Sequence, residues 1–357
     1  MEKIKKEEVL TSYNFARECD IVYSEAVTNK QFEVLGIKDV TIMSKSNKEK
    51  NHVAESALLY KKKFFNIQEN DVIFSNLSLV PDLFRLLKEQ NELKNIILVT
   101  SQTDIKVDKE LFNLKPNCIS KWYSINVDFE DENLIPIPLG LSNDYSPKNI
   151  LSKDIKFFPI FKEYNYSPTL YLNFQVNTNK LERTGLYNAF NNLIWAEKDS
   201  PNLSLLNYQN KLSESKFVLC PIGNGLDTHR VWESLYLGSI PVIKKHLTYS
   251  TTSNLPVLIT DDFTNINKET LTNFLEDMED KEFESERLKV SYWMKIIRKN
   301  QSPTDGSRNV TIQESAVATF LSVFKFKLTN FIEKYTKKIY YYLKKAIEIP
   351  SKIYRKN

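Results

Sequence analysis

The 357-residue chain is short of glycine, with 7 residues where an average composition would give about 25. That shortage excludes a fibrous or glycine-rich low-complexity protein, and it makes any local cluster of glycines informative. Cysteine is also scarce, with Cys19, Cys118 and Cys220 far apart and odd in number. Such spacing supports neither a disulfide framework nor a cysteine-based zinc site, and it suits a reducing compartment. No apolar run reaches the ~18 residues of a membrane span. Residues 1–8 mix Lys and Glu around few apolar positions and lack the centre of a signal peptide. The expected location is therefore cytoplasmic.

What is present reads as an ordinary folded chain, 41% hydrophobic and 26% charged. Its length suggests two domains at roughly 150 residues each. The net charge of +4 conceals an asymmetry: residues 321–357 hold ten Lys or Arg and two Glu, so the rest of the chain is net acidic. Overall charge is thus no argument for nucleic acid, and no nucleic-acid-binding module accompanies the basic segment.

Residues 1–60 read mostly as helix, ending in Ala54-Glu55-Ser56-Ala57-Leu58-Leu59-Tyr60 and a Lys61-Lys62-Lys63 stop. Asp71 to Ser75 and Asn95 to Thr100 are apolar runs of strand length, and Val80 to Leu93 between them is apolar at helical spacing. Strand, helix, strand at this separation predicts a βαβ unit and a parallel sheet. Leu134 to Pro138 reads as a further strand, confined by its prolines to an edge or a strand end. A polar, proline-punctuated stretch from Ser142 to Tyr166 reads as a linker. A second α/β pattern follows, with strands at 169–174, 216–220, 239–243 and 255–260 and helices over 268–299, then a loop at 300–308. The predicted organisation is a first α/β domain over 1–150, a second over 165–300 and a basic helical tail over 309–357.

Chemistry concentrates between Cys220 and Val242, where three of the seven glycines fall within 23 residues, flanked by predicted strands. Asp227 or Thr228 is a good helix N-cap, and Gly238 stands where a helix C′ glycine belongs. A glycine turn (Gly223, Asn224, Gly225) opening a helix aims unpaired N–H groups and a positive dipole end at one point, which suits an anion. Arg230 in the first turn adds a fork for diphosphate oxygens. Glu233, one turn deeper on the same face, can accept hydrogen bonds from a ribose diol. Diphosphate followed by ribose describes a nucleotide diphosphate. The same residues also allow a plain strand-to-helix turn with an Arg230–Glu233 ion pair, and His229 a structural or a phosphate-contacting role.

The run from Ser215 to Val242 resembles the donor-binding signature of exostosin-type glycosyltransferases: a strand, Cys-Pro-x-Gly, an Arg, and Glu-x-Leu-x-x-Gly-x-Ile-Pro-Val. It looks most like exostosin-like transferases of bacterial surface-polysaccharide clusters and a related eukaryotic xylosyltransferase branch. Thr100 to Asp104, Trp122-(x)3-Asn126, Pro136 to Leu141, and Asn173-Phe174 with Thr178, Asn179 and Arg183 resemble other segments of that family. The resemblance spans roughly residues 70–260. It departs at Leu139, where Ile is usual, and at Asn224, where many members carry a charge. It implies the GT-B fold, two Rossmann-like domains facing a cleft, with a nucleotide sugar as donor substrate in the second and a glycan or lipid-linked glycan acceptor in the first. It also implies no obligatory metal and no cofactor. The donor set is then Arg183, Gly223, Asn224, Gly225, Thr228, His229, Arg230 and Glu233. Asp261-Asp262, the one tempting carboxylate pair of the second half, reads as a strand-to-helix cap. Inverting transfer needs a base from across the cleft; Asp104, just past a strand end, is the first choice, with Asp82 and Asp144 behind it.

The tail from Phe324 onward sets apolar residues among lysines in a basic amphipathic pattern, with Tyr340-Tyr341-Tyr342 suited to a headgroup boundary. It is expected either to bind the inner face of a membrane peripherally or to pack back on the first domain. Two other functions fit the same residues: a non-catalytic nucleotide- or glycan-binding protein, and a transferase whose leaving group is a nucleotide monophosphate.

Overall fold

The apolar runs at 72–76 and 96–101 have no polar face, so they can rest only between two covering layers. In the computed structural model, which describes residues 3–46, 55–146, 149–159, 169–301 and 309–353, both are fully buried central strands. The strands in chain order are β1 (Ile21–Thr28), β2 (Val40–Ser46), β3 (Ala57–Lys62), β4 (Phe64–Gln68), β5 (Val72–Asn76), β6 (Ile96–Ser101), β7 (Ile119–Ser124) and β8 (Leu134–Pro136). A first sheet takes the order β2-β3-β1-β5-β6-β7-β8. From β1 through β8 its neighbours are parallel, while β3 runs antiparallel to β1 and β2. The β5–helix–β6 unit matches the expected βαβ, with the helix Val80–Lys88 between them, and β8 lies at the edge its prolines require.

The second sheet is built from β9 (Leu170–Leu172), β10 (Ala196–Lys198), β11 (Phe217–Leu219), β12 (Ile240–Lys244) and β13 (Leu258–Thr260). It is parallel throughout, in the order β10-β9-β11-β12-β13. Two Rossmann-like α/β sheets are thus present. One apolar cluster runs between them, joining Phe74, Val99 and Tyr123 of the first to Val218, Trp232 and Ile243 of the second through Leu10, Phe15 and Trp293. The helix Val290–Lys299 returns from the second half to the first, where Arg298 pairs with Asp20 and Asn300 donates to the Tyr123 hydroxyl.

Three expectations need correction. Residues 1–60 are not mostly helical: β1, β2 and β3 fall there, and Ala57 to Tyr60 is strand rather than helix. The helix formers of that segment yield to its position, since β3 fills the space between β1 and β2 with five of its six residues buried. The proline-rich stretch after Ser142 is no bare linker in its described part, because Ile150, Ile155 and Phe158 are buried in the shared core and Leu151 is buried beside them in sequence. Residues 147–148 and 160–168 of it lie outside the described residues, as does most of the 300–308 loop. The tail over 309–357 does not begin as helix: β14 (Asn309–Gln313) pairs antiparallel with β4, and the helix Ala316–Ile353 follows. The side chains of Tyr340, Tyr341 and Tyr342 are outside the described set.

A buried cation fastens this last segment. Lys61 on β3 is fully buried, and its Nζ donates to Asp82 Oδ2 at 3.0 Å, Glu314 Oε1 at 2.9 Å and Ser322 Oγ at 2.7 Å. Asp82 is spent here, remote from the cleft described below, and so is not a base candidate. Removing one member of a buried charge network leaves the others desolvated and unpaired. Lys61→Met is therefore expected to lower the unfolding free energy by about 3 kcal/mol, measured by urea denaturation; an unchanged midpoint would show that the network contributes nothing net.

Candidate functional site

Parallel α/β sheets bind ligands beyond the C-terminal ends of their strands, where loops diverge and the following helices begin. Here the ends of β6, β7, β9 and β11 open onto one cleft of about 500 Å³ between the two sheets. The first-choice base and all eight residues of the donor set line it: Asp104 and, from the second half, Arg183, Gly223, Asn224, Gly225, Thr228, His229, Arg230 and Glu233.

The helix His229–Tyr236 starts at the cleft, and of the two possible caps Thr228 is the one used, its side chain accepting from the Arg230 N–H at 3.2 Å. Its apolar stripe, Val231, Trp232 and Leu235, is completely buried and fixes its roll. Gly238 ends it with φ +80°, as its position predicted. Asp227 has a different job. Its carboxylate accepts from the backbone N–H of Leu139 (3.0 Å) and Thr228 (2.7 Å) and from Trp232 Nε1, so it ties the glycine loop to the first half of the chain.

The glycines are needed for close approach. A Cβ on Gly225 would lie 3.1 Å from the Asn126 amide, and one on Gly223 3.1 Å from Arg183 Nη2. Asn126, at the end of β7 with φ +54°, accepts from Asp227 N–H at 2.8 Å and donates to the Thr103 carbonyl. His229 Nδ1 lies 2.8 Å from the Gly140 carbonyl. A carbonyl only accepts, so Nδ1 carries the proton and the neutral ring keeps Nε2 as an acceptor. Gly140 itself has φ +70° and its position has no room for a Cβ beside the Leu10 carbonyl. The imidazole thus joins the two walls.

The two arginines differ. Arg183 is buried and donates to the carbonyls of Gln175, Pro221 and Ile222 and to the Thr178 hydroxyl, with no carboxylate among these partners. It shapes the Cys-Pro-Ile-Gly turn through hydrogen bonds to neutral groups alone. Burial, and then the Arg230 charge, pulls its guanidinium down to about 10. Burial works against the Arg230 charge, but the Glu233 carboxylate and the Tyr208 hydroxyl beside it leave the guanidinium above its usual value. Its Nε is buried without a hydrogen-bond partner among the described residues. Glu233 is not its ion-pair partner: Oε1 accepts from Ile150 N–H at 3.2 Å and Oε2 from the Tyr208 hydroxyl at 2.8 Å. A carboxylate has further lone pairs, so a ribose would share Glu233 with these two donors rather than own it.

Asp104 sits on the opposite wall, exposed, in the turn after β6. Asp144 accepts from Gln31 Nε2 at 3.0 Å and does not line the cleft. Asp262 caps the short turn Phe263–Asn265, accepting from Thr264 N–H, as its strand-to-helix position suggested. Sequence reasoning missed Asn126, Tyr208 and Gly140 as site residues. Asn126 and Gly140 stood in recognised segments, but Tyr208 lies in the helix Leu205–Glu214, to which the sequence reading assigned no element.

Burial pushes the Asp227 carboxyl up to about 7 against the three N–H groups that favour its charge. A carboxyl raised in the folded state binds protons there that the unfolded chain has released, so its contribution falls as pH rises from its unfolded value toward about 7. Between about pH 5.5 and pH 8 the loss is about 2 kcal/mol. Thermal unfolding of wild type and Asp227→Asn across that range should show wild type losing ground as pH rises; a constant difference would contradict it.

Residues 164–258 match the family model described as RXYLT1 C-terminal domain. The human ribitol-5-phosphate xylosyltransferase 1 is 36% identical over 63 residues, 18% of this chain and 14% of that protein. The mouse protein of the same name is 39% identical over 54 residues, 15% of this chain and 12% of the relative. These similarities relate the second sheet and its glycine loop to a glycosyltransferase family akin to the exostosin-like one. The aligned stretches cover well under two thirds of either relative.

Proposed function

We propose that the chain is a glycosyltransferase that moves a sugar from a nucleotide-diphosphate donor to a glycan or lipid-linked glycan acceptor, with inversion, in the assembly of a cell-surface polysaccharide. One observation carries the reading: Arg230, half-buried in the first turn of the helix His229–Tyr236, has a buried Nε with no partner among the described residues and lines the cleft beside a second arginine that has no carboxylate among its hydrogen-bond partners. Two cations and the N–H groups of a helix start form a site for a group carrying two negative charges. A diphosphate is such a group, and the similarity of residues 164–258 to a xylosyltransferase domain makes a sugar nucleotide the natural bearer of it.

In this reading the donor diphosphate lies on Gly223 to Arg230, Arg230 and the N–H groups of the helix start meet its oxygens, His229 holds the loop against the Gly140 carbonyl beside it, and Glu233 meets the ribose. Charge that develops on the leaving diphosphate is stabilised by Arg230 and the helix start, held in place before reaction. No metal is required for that step. In-line displacement puts the attacking hydroxyl opposite the leaving group, toward the first sheet. Asp104 on that wall takes its proton. The acceptor occupies the part of the cleft lined by Ser12, Gln102 and Asn143.

The direct test offers a panel of sugar nucleotides with mixed glycan acceptors and measures release of free nucleoside diphosphate. Acceptor-dependent release supports the proposal. Binding of a sugar nucleotide with no release under any acceptor would favour a binding protein of the same fold.

A further inference from the structure

The helix Ala316–Ile353 has two faces with opposite fates. Val323 and Phe326 pack against the outer core of the first sheet, and Ser322 bonds Lys61. The other side carries Val317, Leu321, Phe324, Leu328, Phe331 and Tyr335, all 45–69% exposed. Their steps of four and three residues place them within an arc of about 80°. Isolated exposed apolar residues need no explanation, but a contiguous stripe of this length does. The exposed Lys325 and Lys327 stand about 40° beyond its two edges. Aliphatic stems there can extend along the apolar stripe while their ammonium groups reach outward.

We propose that this stripe is a docking surface for an anionic lipid bilayer, on which the helix lies in the interfacial plane. Three features single out that occupant. The stripe is apolar and its flanks are cationic, the arrangement of an interfacial helix. Residues 321–357 hold ten Lys or Arg against two Glu, so a second copy laid along the stripe would bring like charges together. No helix of the described residues is long and apolar enough to cross a membrane, so the segment lies on the surface rather than spanning it. The docked face, held by Lys61 and the β4–β14 pair, leaves the stripe facing away from the body.

The test is co-sedimentation of the full chain with vesicles of phosphatidylcholine alone or with roughly one third phosphatidylglycerol. The expected result is at least tenfold tighter binding to the anionic vesicles. Phe324→Ser with Phe331→Ser should abolish it, and Lys325→Glu with Lys327→Glu should weaken it on the order of tenfold. These residues are exposed, and unchanged thermal unfolding verifies that each variant is folded. No binding by the folded chain overturns the proposal, as does equal binding to both vesicle types. Concentration-dependent self-association that disappears in the Phe324/Phe331 variant, without lipid binding, overturns it in favour of a second copy. None of these outcomes depends on whether the cleft transfers sugar.

Discussion

Arg230→Ala is expected to lower kcat/KM for the sugar nucleotide by about 10³ while the protein stays folded. The rate effect follows from placement. The guanidinium is held by the first turn of a helix whose apolar stripe is buried, and its Nε has no internal partner among the described residues to lose. A donor aimed at developing charge in such a setting is worth about 3–4 kcal/mol. Some stability is lost as well: Glu233 keeps its bonds from Ile150 and Tyr208, but it loses the neighbouring cation whose charge it helps to hold. Arg230→Lys should recover part of the activity, since it restores the charge but not the planar fork. Steady-state rates and thermal unfolding on the three proteins check this. A variant within threefold of wild type would remove Arg230 from the transition state.

Asp104→Asn should reduce kcat by 10²–10⁴, the usual worth of a general base, with little change in donor KM. Asp104 is exposed and lines the cleft across from the donor loop. It can therefore be altered without disturbing packing, and its loss falls on the acceptor's proton rather than on donor binding. Equal losses in kcat and in donor affinity would point to a positioning role, and an unchanged rate would move the base elsewhere, with Nε2 of His229 the next group to examine.

The parts of the molecule that could be read from the chain are those whose constraints are local. The β5–helix–β6 unit is written as two apolar runs and one periodic stretch within some 30 residues. The donor loop and its helix are a single contiguous segment, so cap, glycines and arginine fell into place together. By contrast, Ala57 to Tyr60 is built of residues that favour helices, and only its place between β1 and β2 makes it a strand. β4 and β14 pair with each other from distant parts of the chain, and β10 is a three-residue edge strand with no buried position. The same limit applied in the cleft. Contacts such as Asn126 with Asp227, His229 with Gly140, and Ile150 with Glu233 join residues 83 to 101 positions apart, and nothing in the local pattern announces them. They turn a donor loop into a shared wall. They also explain why Arg183, expected as a phosphate ligand, is first of all the brace of the Pro221–Gly223 turn.

The central claim is that the cleft holds a nucleoside diphosphate on the start of the helix His229–Tyr236. It is tested most directly by thermal unfolding of wild type and Arg230→Ala against a panel of nucleoside diphosphates. A ligand at about 100 times its dissociation constant should add about 2.7 kcal/mol to the folded state. The account predicts a raised unfolding temperature for wild type with one nucleoside diphosphate class, and none for Arg230→Ala. An equal rise in both proteins, or none in a well-folded wild type with any nucleotide, would contradict it.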